Sequence, residues 1–130
     1  KHFMEETIKR AHDDGFVETM FGRRRWTPDV KSSNFVVRSA AERAAANMPI
    51  QGTEADLMKL AMIKVQQIID HDFPAAMQLL QIHDSILIEC PKGQSEAIAA
   101  MLKETMEQIC PKLGVRLQVD VASGENWGEV

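Results

Sequence analysis

The sequence predicts an α+β chain, an antiparallel sheet with a central β-hairpin packed against long helices. Three observations predict it. Two apolar strand-like runs, Met77 to Ile82 and Ile86 to Cys90, are separated by little more than the polar pair His83-Asp84, the spacing of a tight hairpin. Apolar residues recur at helical spacing in two stretches, Leu57, Leu60, Ala61, Val65 and Ile68, then Ile98, Met101, Leu102, Thr105, Met106 and Ile109, which reads as two amphipathic helices. Val115, Leu117, Val119 and Val121 alternate with Arg116, Gln118 and Asp120, the clearest period-two signal of a strand with one buried face.

The elements follow in order. Phe3, Ile8 and Ala11 lie near helical spacing and Asp14-Gly15 is a C-terminal stop, so the chain opens on a helix. Phe16 to Phe21 is β-prone, Gly22-Arg23-Arg24-Arg25 follows, and Trp26-Thr27 begins a return strand before Pro28, giving a basic hairpin. Ser32-Ser33-Asn34 offers N-caps for a thin helix through Ala40, Ala41, Ala44, Ala45 and Met48, which Pro49 is expected to end because its ring disfavours helix at the preceding residue. Thr53-Glu54-Ala55-Asp56 resembles a capping box, so a second, long helix is expected from there to about His71. After the central hairpin, Ser95 is a candidate cap for the last helix, closed by Pro111,. The methionines of that helix read as core filler. No repeat, low-complexity tract or linker divides residues 1–130, so one domain is expected.

Composition narrows the function. A chain of 130 residues is large enough to bury a core without staples. Cys90 and Cys110 are each followed by Pro and are too few for a disulfide framework or a metal knuckle, so a reduced, cytoplasmic setting is expected. No apolar run nears the roughly 20 residues that span a bilayer, and no apolar signal core stands at the N-terminus; a soluble chain with no membrane partner is expected. Lys1 opens the sequence and the first Met is Met4, which reads as a segment cut from something longer. The net charge of −4 argues against an indiscriminate nucleic-acid coat, which draws on many Lys and Arg contacts to phosphate. The charge is unevenly spread. Gly22 to Arg43 holds Arg23, Arg24, Arg25, Lys31, Arg38 and Arg43 against Asp29 and Glu42 alone, whereas Asp84 to Val130 holds twice as many acids as bases. Such runs are by default solvated faces.

The chemistry-bearing residues are ambiguous one at a time. Asp84 by itself is a common turn residue, although a tight turn also pushes its carboxylate and the His83 imidazole out of the sheet tip, which is how a chain presents a metal-binding acid. Arg43 and Asn47 lie one helical turn apart and so share a face, and Gln51 follows four residues on, past the expected break at Pro49. A solvated edge accounts for them, but Arg and Gln also suit the acceptors on base edges, which in the minor groove are nearly alike on every base pair. Such a surface tests duplex shape without reading sequence.

Together the segments are far less ambiguous. Gly15-Phe-Val-Glu-Thr-Met-Phe-Gly-Arg-Arg-Arg25, Arg38-Ser-Ala-Ala-Glu-Arg43, Asn47-Met-Pro-Ile-Gln-Gly-Thr53, Ala55-Asp-Leu-Met-Lys-Leu-Ala-Met62, Leu80-Gln-Ile-His-Asp84 and Gly124-Glu-Asn-Trp127 closely resemble, in order and with family spacing, the C-terminal palm of family A DNA polymerases of the bacterial type. The resemblance covers nearly the whole chain. It implies template-directed nucleotidyl transfer in a longer parent, with two Mg²⁺ ions as cofactors and primer-template DNA and deoxynucleoside triphosphates as partners. It implies that Asp84 is one of the two metal-binding aspartates and that His83, Arg43, Asn47 and Gln51 line the minor groove at the primer terminus. Arg25 is implied as a backbone contact. Fingers, thumb and N-terminal palm are then partners within the parent.

Two departures limit the carry-over. The acidic stretch bearing the other metal aspartate and the basic fingers helix are absent from these residues, so the chain alone is expected to be inactive. Ser85 stands where the family usually has Glu, and a hydroxyl adds no charge at the metal. Two other classes compete. His12-Asp13, His71-Asp72 and His83-Asp84 would serve a helical metal-dependent phosphohydrolase if they converged. A non-catalytic duplex-binding or scaffold module is the other; a palm segment cut from its parent exposes the apolar faces that met fingers and thumb, which favours self-association as an artefact. A barrel that stacks single strands is disfavoured because the chain has no Tyr and few Phe,.

Overall fold

The computed structural model describes residues 2–130. The chain resolves into two compact units, one reaching to Asp56 and the other Leu57–Val130, each with its own core.

In the first unit, helix α1 (His2–Asp14) stops at Gly15, whose φ of +77° is the left-handed conformation that a glycine adopts without cost. Strands β1 (Phe16–Glu18) and β2 (Arg24–Trp26) pair antiparallel with Phe16 opposite Trp26 and Val17 opposite Arg25. The basic hairpin forms as its sequence predicts. A short 3-10 turn, Pro28–Lys31, leads to α2 (Phe35–Asp72). Of the three cap candidates Asn34 does the capping, its Oδ1 accepting the amides of Val36 at 2.9 Å and Val37 at 3.4 Å,. Ala11, Val17, Val30, Ala45 and Met48 form the core.

The expected break in the middle of this helix does not occur. Pro49 lies inside α2, which is 38 residues long, and Thr53-Glu54-Ala55-Asp56 starts nothing. A proline in a helix interior costs about 3 kcal/mol and a glycine about 1 kcal/mol, yet the helix runs through Pro49 and Gly52. The compensation is tertiary: Ala45, Ala46, Met48, Gly52, Thr53 and Asp56 are all buried, so ending the helix would expose that face. The Thr53 hydroxyl, read as a cap, donates instead to the Pro49 carbonyl at 2.5 Å.

In the second unit, β3 (Met77–Ile82) and β4 (Ser85–Glu89) pair antiparallel, with Ile82 opposite Ser85 and an irregularity between Gln78 and Leu80. Helix α3 (Ser95–Glu107) follows. Ser95 is its first residue rather than its cap; its hydroxyl donates to Lys92 O at 3.1 Å, and Gln94, the actual cap, makes no side-chain cap bond. Val65, Ile69, Ala76, Ile98 and Leu102 form the core, with Met101 and Met106 packed against it, so the methionines are filler as expected.

The alternating run from Val115 to Val121 forms no ladder, and the sheets among the described residues are the two hairpins. Alternation specifies which face of a strand is buried but supplies no neighbour for its N–H and C=O groups. Leu117 and Val119 are half-buried, and the Val119 amide donates to Glu107 Oε1 at 3.1 Å. Both cysteines are free thiols. No helix among the described residues is long and apolar enough to cross a membrane.

Candidate nucleic-acid and metal site

Asp84 occupies the second position of the two-residue turn between Ile82 and Ser85. The turn is unusual at its first position, since His83 has φ +52°, a left-handed conformation in which histidine is enriched but a side chain still costs energy. The turn is held from both sides: Gln81 Nε2 donates to the His83 carbonyl and Ser85 Oγ donates to the Ile82 carbonyl at 2.8 Å. Ser85 therefore gives its proton to the turn. His83 and Asp84 are both exposed, and within its unit the Asp84 carboxylate has neither hydrogen bond nor ion pair. A bare carboxylate on a rigid tip is a hard oxygen donor of the kind Mg²⁺ prefers. Among the described residues no three His, Cys, Asp or Glu side chains form a group able to hold a metal ion, so Asp84 fits as one ligand of a site and not as a whole one.

Arg43, Asn47 and Gln51 all lie on α2 and all are exposed. At 100° per residue they span about 80° of the helix surface, opposite the buried side that carries Ala45, Met48 and Gly52. The Arg43 guanidinium donates to Ser39 Oγ at 2.8 Å, one turn back along the same side. The spacing predicts a common face for Arg43 and Asn47; Gln51 joins it because α2 continues through Pro49.

The basic hairpin divides its arginines. Arg23 Nε donates to Asp56 Oδ1 at 2.6 Å and its Nη2 to the Gly52 carbonyl at 3.0 Å. Arg24 pairs with Glu18 at 2.7 Å and lies 4.3 Å over the Phe16 ring, which itself meets Trp26 edge-on at 5.4 Å. Arg25 is exposed and forms no ion pair among the described residues. Arg24 thus ties the two strands of the hairpin together and Arg23 ties the hairpin to α2, whereas Arg25, the one carried over from the resemblance, is exposed.

The three His-Asp pairs take separate roles. His12 Nε2 lies 2.9 Å from Glu42 Oε1, His71 Nδ1 lies 2.6 Å from its own neighbour Asp72, and His83 sits in the turn. The His71 pKa is raised above 6.5 by the hydrogen bond to Asp72 and then by that carboxylate's charge.

Sequence reasoning missed the cluster around Arg23, Thr19, Thr53 and Asp56. Its signal was present in Asp56, an acid among apolar residues, but a capping box explained that acid first.

The family model described as DNA polymerase family A matches residues 1–129. The thermostable DNA polymerase I of Thermus aquaticus is 48% identical over 125 residues, covering 96% of this chain. DNA polymerase I of Lactococcus lactis subsp. cremoris is 44% identical over 129 residues, covering 99%. A solved structure, the POL domain of Pol1 from M. smegmatis in complex with DNA primer-template and dNTP, superposes with a TM-score of 0.82 at 42% identity over 88% of the chain. The chain spans 15% of the length of each of these two curated relatives and 20% of the solved chain. Matched from end to end by the family model and nearly half identical to its members, the chain belongs to DNA polymerase family A.

Proposed function

We propose that this chain serves template-directed nucleotidyl transfer as part of a DNA-directed DNA polymerase in the cytoplasm. It would supply one metal-binding aspartate and a minor-groove surface for primer-template DNA. The observation that carries the proposal is the unpaired, exposed carboxylate of Asp84 on a two-residue turn, in a chain that aligns with the family throughout. The M. smegmatis POL domain is in complex with DNA primer-template and dNTP, which supports the same partners here.

Asp84 would be this chain's residue for holding Mg²⁺. Bound there, the ions would supply charge stabilisation to the reacting phosphates and lower the pKa of the primer 3′-hydroxyl. The chain's own work is positional. The hydrogen-bonded turn holds the Asp84 carboxylate at the tip, with no ion pair to it within its unit. Arg43, Asn47 and Gln51 donate from one helix face to minor-groove acceptors that every base pair presents, which registers the duplex without selecting a sequence. His83 adds a polar contact beside the acid, and Arg25 provides an unpaired guanidinium for the phosphate backbone. Ser85 contributes no charge and serves the turn.

For the chain on its own a second reading has support. Among the described residues Asp84 belongs to no group of three or more His, Cys, Asp or Glu side chains able to hold a metal ion, which favours duplex binding without catalysis.

Fluorescence anisotropy of a labelled primer-template duplex with this chain in Mg²⁺ tests the proposal. Gln51→Ala and Arg43→Ala are expected to weaken binding by about 1 kcal/mol each, the size of a net hydrogen bond. Asp84→Asn is expected to leave binding nearly unchanged and to abolish synthesis in the complete polymerase. Binding indifferent to Gln51, or synthesis surviving Asp84→Asn, would overturn the corresponding assignment.

A further inference from the structure

Three of the five buried polar or charged residues among those described, Thr19, Thr53 and Asp56, gather at one place in the first unit, where the basic hairpin meets the Pro49–Thr53 turn of α2. The turn needs outside support. Pro49 has no N–H, so the Ala45 carbonyl loses its helical donor, and Gly52 has no side chain to stiffen the backbone.

The support comes from the hairpin by three routes. The Met20 amide donates to Thr53 Oγ1 at 2.9 Å while that hydroxyl donates onward to the Pro49 carbonyl. Arg23 bridges Asp56 and the Gly52 carbonyl at 2.6 and 3.0 Å. Gly52 also permits close approach, because a Cβ there would stand 2.7 Å from Thr19 Cγ2. Gln51 is the residue between Pro49 and Thr53 that faces solvent with a long polar side chain. Arg25 lies two residues past Arg23 on the strand that leaves the same loop.

From this we infer that Arg23, Thr53 and Asp56 are positioning residues: they lock the proline-weakened turn of α2 against the hairpin, so that Gln51 and Arg25 meet a duplex as one rigid pair. The inference rests on the proposed groove contact of Gln51. The donors are aimed before the duplex arrives, and less side-chain and backbone entropy is lost on binding. Arg23 in particular changes role. Its charge belongs to the fold, and its neighbour Arg25 is the ligand-facing one.

The test uses primer-template duplexes in which 3-deazaadenine replaces adenine at one step at a time, deleting a single minor-groove acceptor. Wild-type chain is expected to lose about fivefold in affinity at one step, as for one hydrogen bond, and Gln51→Ala to lose nothing further there. If the lock aims Gln51, then Thr53→Val and Arg23→Leu, verified as folded by circular dichroism, will also show no penalty at that step. Thr53→Ser, which keeps the hydroxyl, will retain it. A misfolded protein would lose binding at every step alike, so the position-specific penalty separates aiming from folding. Should Arg23→Leu fail to fold, Arg23→Lys replaces it. It keeps the charge but lacks the planar fork that spans both acceptors, and its penalty should shrink to about twofold. Folded Thr53→Val and Arg23 variants that keep the full fivefold penalty would overturn the inference and leave the groove contact standing. A wild-type chain indifferent to the analogue at every step would overturn the groove contact, and the inference with it.

Discussion

Asp84 and His71 show how differently a charged side chain behaves with and without a partner. Asp84 stands exposed on its turn and has no ion pair within its unit, so its carboxylate is open to a cation. His71 has its partner beside it, 2.6 Å away in Asp72, and that contact holds the imidazolium above the ordinary histidine value of 6.5. A raised folded pKa means a contribution that is complete below the unfolded value and lost as pH rises through the folded one. Because the pair is fully exposed and screened by water and salt, the effect on stability is small. It is visible in titration instead. The ring protons of His71 are expected to titrate above 6.5, and Asp72→Asn should return the midpoint toward that value in an NMR titration. An unmoved midpoint in Asp72→Asn would show that the neighbouring carboxylate is not the cause.

At the level of elements, α2 carries the most information because it contradicts its own local sequence. Pro49, Gly52 and a capping-box pattern all argue for a break, and a single 38-residue helix forms. Local propensity is worth a few kcal/mol at most, and burial of one continuous face outweighs it. Gly52 should then be poorly replaced by the better helix former. Gly52→Ala places a Cβ 2.7 Å from Thr19 Cγ2 and is expected to destabilise by about 1–3 kcal/mol in urea unfolding, an overpacking cost. Adding Thr19→Ser removes the clashing methyl but keeps the hydroxyl that accepts the Phe21 and Arg23 amides, and should recover most of the loss. A more stable Gly52→Ala would mean that helix propensity, not the close approach of the hairpin, governs the position.

On the scale of the whole molecule, the balance of charge sets how a duplex can be held. The net charge is −4, so binding depends on a few local cations. Arg23 and Arg24 are already paired with Asp56 and Glu18, which leaves Arg25 and Arg43 as the principal duplex-facing guanidinium groups of the proposed site. With Arg25 at a phosphate and the Arg43 charge in the groove each displacing about one counterion, the plot of log affinity against log salt should have a slope of about −2. Anisotropy titrations across a salt series check this. A slope of about −6 would instead mean a broad basic coat and would displace the groove face as the principal contact.

Much of the fold and part of the site were legible in the chain alone. Both hairpins, the Gly15 stop and the shared face of Arg43 and Asn47 follow from turn chemistry and from the fixed periods of helix and strand, which are local properties. So does the exposed place of His83 and Asp84, because a two-residue turn has nowhere else to put them. What local chemistry did not decide was whether α2 ends at Pro49, whether Val115 to Val121 finds a partner strand, and which arginine of Arg23, Arg24 and Arg25 stays unpaired. Each depends on a neighbour distant in sequence: the buried face beside Pro49, a ladder partner for the alternating run, the Asp56 carboxylate for Arg23. The energies that settle these questions come from burial and pairing between segments, and only the tertiary structure says which segments meet.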